Sequence, residues 1–336
     1  MLRSCHGISK LAAVLLLATV VVVSGGAVVV YEHLSSSPES KIDLRFTGTD
    51  PPNPEPPCVL YRDIVDLPDP TWLGLTIRYF DDDVVALYFQ ITGDNANYSF
   101  QTVQLGRLDA GTNDYQNLDA FASRPKPLPA DLPGGEWVEP VDLVLKAYTD
   151  AAYTNLKWTF TKTLFIHWIN SADATFSVDV LNDFDDGTVQ GWAAASEYGD
   201  IVASVGVASD YVLSTPYSLR LNNYSPSGGT MNQARIYKSF TTPNKSKIFA
   251  IIDIRTCTNF YNNGILISRD SSILVQIGKR VFETANSAPR GKWMRIVVPL
   301  PANTTLELRI SYKSSFQAQP YNQNFMWLDD FKILSK

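Results

Sequence analysis

The chain has 336 residues, a formal net charge of −6 at pH 7, 18% charged and 12% aromatic side chains, and three cysteines. No basic cluster supplies the phosphate-neutralising surface that nucleic-acid binding needs, and Cys5, Cys58 and Cys257 show neither a disulfide framework nor zinc-ligand spacing. Few charges among many uncharged polar and aromatic residues suit an extracellular β-protein, with length for about two domains at ~150 residues each.

The first predicted element is Leu11–Tyr31, LAAVLLLATVVVVSGGAVVVY, which carries no charge and follows Arg3 and Lys10. As a helix it is roughly 31 Å long, matching a hydrocarbon core of about 30 Å. The sequence thus predicts a leader over 1–10 on the cytoplasmic side and a transmembrane anchor over 11–31. A secretory signal cut near Ser24-Gly25-Gly26-Ala27 is the competing reading. Both place everything after Tyr31 outside the cytoplasm. There Cys58 and Cys257 share an oxidising space in which they form either a disulfide or two buried free thiols.

Residues 32–57 read as a Ser/Pro-rich stalk, because Pro51, Pro52, Pro54, Pro56 and Pro57 favour extended polyproline II. Over 58–175 come short β-type segments (CVLYRDIV, LGLTIRYF, VVALYFQI, YSFQTVQL, VDLVLKAY) divided by turn clusters such as Asp81-Asp82-Asp83 and Gly93-Asp94-Asn95. Their number predicts antiparallel strands in an immunoglobulin-like β-sandwich. Between them lies a long polar insertion, Asp109–Glu139, whose Trp137 is either a contact residue or a lid on the sandwich end. The stretch LKWTFTKTLFIHWI puts Trp158, Phe160, Phe165 and Trp168 among the core candidates.

The segment 176–336 carries the sharper signal. Phe184-Asp185-Asp186-Gly187 with Gly191-Trp192, then Tyr217-Ser218-Leu219-Arg220-Leu221, then Gly291-Lys292-Trp293, and finally Leu328-Asp329-Asp330-Phe331 resemble, in this order, the galactose-binding-like jelly roll of many carbohydrate-binding modules. The resemblance covers nearly half of the chain and implies an all-β fold. It also implies a structural calcium ion held by Asp185 and by Asp329 or Asp330 at adjoining first and last strands, since calcium takes six to eight oxygen ligands. It further implies sugar binding by aromatic rings. Tyr198, Tyr224, Tyr261 and Tyr321, each near polar turn residues, are the candidates, whereas Trp192, Trp293 and Trp327 are expected in the core.

Catalytic chemistry finds little support. His6 and His33 flank the anchor, leaving His167, in the apolar run FIHWI, as the one imidazole for a nucleophile–base pair, and no Gly-x-Ser-x-Gly turn accompanies it. No phosphate loop or dinucleotide fingerprint is present. Sequons at Asn97, Asn223, Asn244 and Asn303 offer glycosylation sites outside the cell. The sequence therefore predicts a single-pass, cell-surface binding or adhesion protein for a glycan or a surface partner, and not an enzyme. Two alternatives stay open. His6-Gly7-Ile8-Ser9 resembles the class III leaders of archaeal type IV pilin-like proteins, which implies cleavage after Gly7 and self-assembly into a filament; the other is a non-catalytic accessory module of an exported enzyme system.

Overall fold

The structure, a computed structural model, describes residues 42–47, 49–50, 59–65, 74–79, 86–94, 99–100, 102–111, 113–117, 122–123, 133–198, 201–214, 216–225, 231–256, 261–262, 265–266, 268–278, 280–283, 291, 293–316 and 322–336. The predicted anchor 11–31, Cys5, Cys58, Cys257, Asn97 and Tyr321 lie outside these residues. Among the described residues no helix is long and apolar enough to cross a membrane; they are almost wholly strand.

The first half contains β1 (Ile42–Thr47), β2 (Thr49–Asp50), β3 (Val59–Asp63), β4 (Gly74–Tyr79), β5 (Ala86–Asp94), β6 (Ser99–Phe100), β7 (Val103–Asp109), β8 (Asn113–Asn117), β9 (Ala122–Ser123), β10 (Glu136–Tyr148) and β11 (Leu156–Ile169). A three-stranded sheet in the order β1-β4-β8 faces a six-stranded one in the order β2-β3-β11-β10-β5-β7. Ile42 and Ile77 of the first pack with Leu60, Leu87, Phe89, Ile91, Leu143 and Leu145 of the second. The strict alternation of buried residues along β5 and β10 is what a sheet with one covered face requires.

Three expectations change here. Ile42–Thr47, assigned to the stalk, pairs in antiparallel register with β4; its alternating IDLRFT precedes the proline cluster and behaves as a strand. Val59–Asp63 runs parallel, not antiparallel, to β11. The insertion after Asp109 contributes β8 to the three-stranded sheet. In β11 the core side chains are Leu164, Ile166 and Trp168, with Trp158 and Phe160 packed at their edge. Phe165 is an odd-numbered residue on the other face, since side chains alternate with a period of two.

The second half contains β12 (Ser177–Asn182), β13 (Ala193–Tyr198), β14 (Val202–Ala208), β15 (Ser218–Ser225), β16 (Met231–Thr241), β17 (Ile248–Thr256), β18 (Tyr261–Asn262), β19 (Ile265–Leu266), β20 (Ser268–Ile277), β21 (Arg280–Glu283), β22 (Trp293–Pro299), β23 (Thr305–Phe316) and β24 (Asn322–Ser335). One sheet runs β14-β15-β24-β17-β22 with β12 also on β24, and the other runs β13-β16-β23-β20-β21. Between them lies a core including Leu219, Leu221, Ile236, Ile252, Ile254, Val275, Ile310, Leu328 and Phe331.

The last strand shows how the sequence sets this core. Met326 and Leu328 point inward, and simple alternation would turn Phe331 outward. Asp330 has φ 51°, and the pairing of β17 with β24 shifts register between Ile251 and Asp253. This bulge supplies the extra residue that sends Phe331 and Ile333 back into the core. Phe331 then meets Trp192 edge-on at 5.6 Å and Phe240 at 5.5 Å, so the first-strand and last-strand motifs close on one aromatic cluster.

The two sandwiches share a seam. Tyr61, Ile169 and Phe176 pack against Phe249, Ile251, Val297 and Leu334. Beside this apolar patch Arg295 forks onto Asp253, Nε and Nη2 each 2.7 Å from a carboxylate oxygen, and its Nη1 reaches Asp63 Oδ2 at 2.9 Å and the Val65 carbonyl at 3.1 Å. Asp63 also accepts from the Ser171 amide and hydroxyl. Desolvation opposes the guanidinium charge, but Asp253 and Asp63 outweigh it and raise the Arg295 pKa. Burial pushes Asp253 up to about 6 against the pull of Arg295. Gly135 closes the corner with φ 73°, and a Cβ there would lie 2.9 Å from the Phe176 ring, so only glycine fits.

A second charged group lines the seam. Glu136 meets His167 Nε2 at 2.8 Å and Lys247 Nζ at 2.8 Å, and Lys336 at 2.5 Å. The imidazole stacks on Tyr61 at 5.0 Å. Desolvation lowers the His167 pKa in spite of Glu136; the Glu136 pKa, although desolvation opposes this, is lowered by Lys247, Lys336 and His167. Both folded-state values lie below the unfolded ones, so both contributions are complete above pH ~6.5 and fade as pH falls. We expect His167→Gln, which does not titrate, to lose less melting temperature than the wild type between pH 7.0 and 5.0. Equal losses would remove His167 from the seam's acid response.

Candidate functional site

Of the predicted metal residues, Asp329 and Asp330 lie at the bulge. Asp329 is fully buried; its Oδ2 accepts the amides of Leu213 at 2.7 Å and Ser214 at 3.0 Å, and its Oδ1 accepts the Ser214 hydroxyl at 3.0 Å. Burial raises the Asp329 pKa and these hydrogen bonds oppose it. Asp330 Oδ2 pairs with Lys332 Nζ at 3.1 Å. The Asp185 carboxyl is raised by partial desolvation and by the like charges of Asp183, Asp330 and Asp186. Lys238 donates from its ammonium to Asn182 Oδ1 at 2.9 Å and to the Gln190 carbonyl at 2.6 Å. Among the described residues no three His, Cys, Asp or Glu side chains are placed to hold a metal ion.

The sequons divide by exposure. Asn244 and Asn303 are exposed, whereas Asn223 is 0% exposed with neither Nδ2 nor Oδ1 hydrogen-bonded. Its side chain faces the core on β15, so the nitrogen that would carry a glycan is out of reach of solvent; Asn223 is no acceptor in the folded protein. The three tryptophans expected in the core are buried: Trp192, Trp293 and Trp327.

The tyrosine candidates fall on opposite sides of the second sandwich. Tyr198, 64% exposed, ends β13 on the five-stranded sheet. Tyr224 sits on β15 of the other sheet, half-buried. For Tyr261 the backbone is described, as part of β18, but not its side chain. Tyr198 and Tyr224 therefore do not form one site.

What assembles instead is the outer face of the five-stranded sheet. Ala234, Ile236 and Phe240 of β16 and Leu308, Ile310 and Tyr312 of β23 point into the core, so the alternate residues Gln233, Arg235, Tyr237, Ser239, Arg309 and Ser311 face outward. Strand pairing puts Tyr237 beside Arg309, and Arg309 beside Gln276 of β20. Glu197, displaced by the irregularity between Ser196 and Tyr198, accepts from Gln233 Nε2 at 2.7 Å and Arg235 Nη1 at 3.1 Å. The Arg235 guanidinium lies 5.4 Å from the Tyr237 ring centroid, and its buried Nε–H has no partner. The result is a tyrosine ringed by fixed donors and acceptors. Alternation along NQARIYKSF was the signal for it in the sequence; Lys238, a polar residue at an inward position, obscured it.

No family model matches the sequence, and no curated protein matches it. Solved structures do. A family 61 carbohydrate-binding module in complex with β-1,4-galactotriose is 12% identical, with a TM-score of 0.31, over 46% of this chain and 94% of that one. A structure described as the basis for promiscuous specificity in carbohydrate-binding modules of the β-sandwich superfamily is 11% identical, with a TM-score of 0.33, over 87% of this chain and 98% of that one. The cleaved adhesin domain K1 of Lys-gingipain from Porphyromonas gingivalis is 15% identical, with a TM-score of 0.30, over 47% of this chain and 98% of that one.

Proposed function

We propose that this chain is a non-catalytic glycan-binding protein held at the cell surface, with the second sandwich as a jelly-roll recognition module and the outer face of its five-stranded sheet as the binding site. The observation that carries the reading is the Tyr237 face: a half-buried aromatic ring flanked by Arg235, Glu197, Gln233 and Arg309. A pyranose offers an apolar C–H face for the ring and hydroxyls for the surrounding amide, carboxylate and guanidinium groups. Tyr198 stands at the rim, where it extends the stacking surface. His167 supports the non-catalytic reading, because its Nε2 is engaged by Glu136 and its ring is packed on Tyr61.

In this reading Leu11–Tyr31 anchors the chain, and the first, immunoglobulin-like sandwich displays the module outside the cell. A glycan array probed with the full chain is expected to return at least one retained oligosaccharide. Tyr237→Ala should weaken its binding at least about tenfold, or ~1.4 kcal/mol. A folded protein that retains nothing across the array, or a Tyr237→Ala variant that binds unchanged, contradicts the reading.

The glycine-led leader favours a second reading, a filament subunit. N-terminal sequencing of native protein separates the two: a mature terminus at Ile8 supports the filament route, and an intact terminus supports the plain anchor.

A further inference from the structure

We propose that the second sandwich has another binding site, on the opposite sheet, for a carboxylate-bearing polysaccharide. The first sandwich covers one end of the outer face of the β14-β15-β24-β17-β22 sheet, at Phe249, Ile251, Val297 and Leu334. Beyond the Arg295 ion pairs the face carries a different set of side chains. Arg220 of β15 and Arg255 of β17 flank Trp327 of β24 in register, so the two arginines stand about two strand spacings, ~9.5 Å, apart.

Both guanidiniums lie over rings, Arg255 at 4.3 Å from the Tyr211 centroid and Arg220 at 5.0 Å from that of Phe325. Tyr211 meets Trp327 edge-on at 4.8 Å. Trp327 is 2% exposed and Tyr211 40%, so the indole forms a floor and the tyrosine an accessible wall.

Among the described residues the charges do not balance. Asp210 is shared: its Oδ2 lies 3.4 Å from Arg220 Nη1, and its Oδ1 accepts Trp327 Nε1 at 3.1 Å. Arg255 makes no ion pair with any described residue, and its buried Nε–H has no hydrogen-bond partner.

A guanidinium fork stacked on an aromatic ring matches a carboxylate geometrically. The half-exposed ring beside it adds a surface for the C–H face of the sugar that bears the carboxylate. Two arginines in register then accept carboxylates from one polymer chain, and the local positive excess selects an anionic ligand for a protein whose net charge is −6.

The test is titration of the full chain with polygalacturonate, neutral galactan and dextran sulfate at low and high salt. Polygalacturonate should bind, and more weakly at high salt as ionic contacts are screened. Arg255→Gln and Tyr211→Ala should each weaken that binding at least tenfold while melting like the wild type; Tyr237→Ala should leave it unchanged. Should Arg255→Gln melt early, Tyr211→Ala, a loop change, decides. The proposal is overturned if the wild type does not bind polygalacturonate, if both variants bind it unchanged, if Tyr237→Ala abolishes it, or if dextran sulfate binds equally well through Arg255. Because this surface and the Tyr237 face lie on opposite sheets, either can fail alone.

Discussion

Replacing Arg295 with methionine is expected to remove about 3–5 kcal/mol of folding free energy, because the change leaves two buried carboxylates without their cation. Asp63 and Asp253 are both fully buried at their side chains, and Arg295 serves them with three hydrogen bonds of 2.7–2.9 Å. The loss measures the penalty of stranding those charges, not the net worth of the ion group, which an apolar replacement of all three residues would report. Adding Asp253→Asn to the methionine variant should restore part of the loss, since one stranded charge then disappears. Urea unfolding followed by intrinsic fluorescence measures both. A loss below about 1 kcal/mol, the range of an exposed pair, would mean that water reaches the seam and that the two sandwiches are not joined through it.

Phe331→Ala is the second large effect, at about 3–5 kcal/mol for a phenylalanine truncated in a core. The ring has no exposed surface and touches Trp192 and Phe240 edge-on or tilted at about the spacing aromatic pairs favour. The void would open between the first-strand and last-strand motifs, so it should loosen the Asn182–Trp192 loop that Lys238 holds by Asn182 and the Gln190 carbonyl. Faster amide exchange in that loop, beyond what global destabilisation explains, is the expected signature. Phe331→Leu, which keeps most of the volume, should cost far less. Equal costs would show that the cluster is not packed as described.

These two positions mark the boundary of what the sequence discloses. Phe331 and Trp192 were legible because each sits in a short local motif, and the all-β character followed from alternation along segments such as ALYFQIT and VDLVLKA. The Arg295 group was not legible: Asp63, Asp253 and Arg295 are 190 and 42 positions apart in successive steps, and nothing local in RDI, IDI or MRI signals that three strands meet. Phe165 shows a finer limit, since a residue count that slips by one puts an aromatic on the wrong face. The hydrogen bonds that Asp329 accepts from the amides of Leu213 and Ser214 were not legible either, since those residues lie more than a hundred positions away. At the proposed binding face, nearby turn residues single out Tyr198 at the end of β13 and not Tyr237 mid-strand, because loop composition says little about which side of a sheet a strand residue occupies.

The most direct measurement is hydrogen–deuterium exchange of the full chain with and without an oligosaccharide retained on the array. The account predicts slowed exchange in peptides covering Glu197–Tyr198, Gln233–Tyr237 and Arg309–Ser311, with Ser218–Tyr224 unchanged by a neutral sugar. Protection confined to other segments, with none across Gln233–Tyr237, would contradict it.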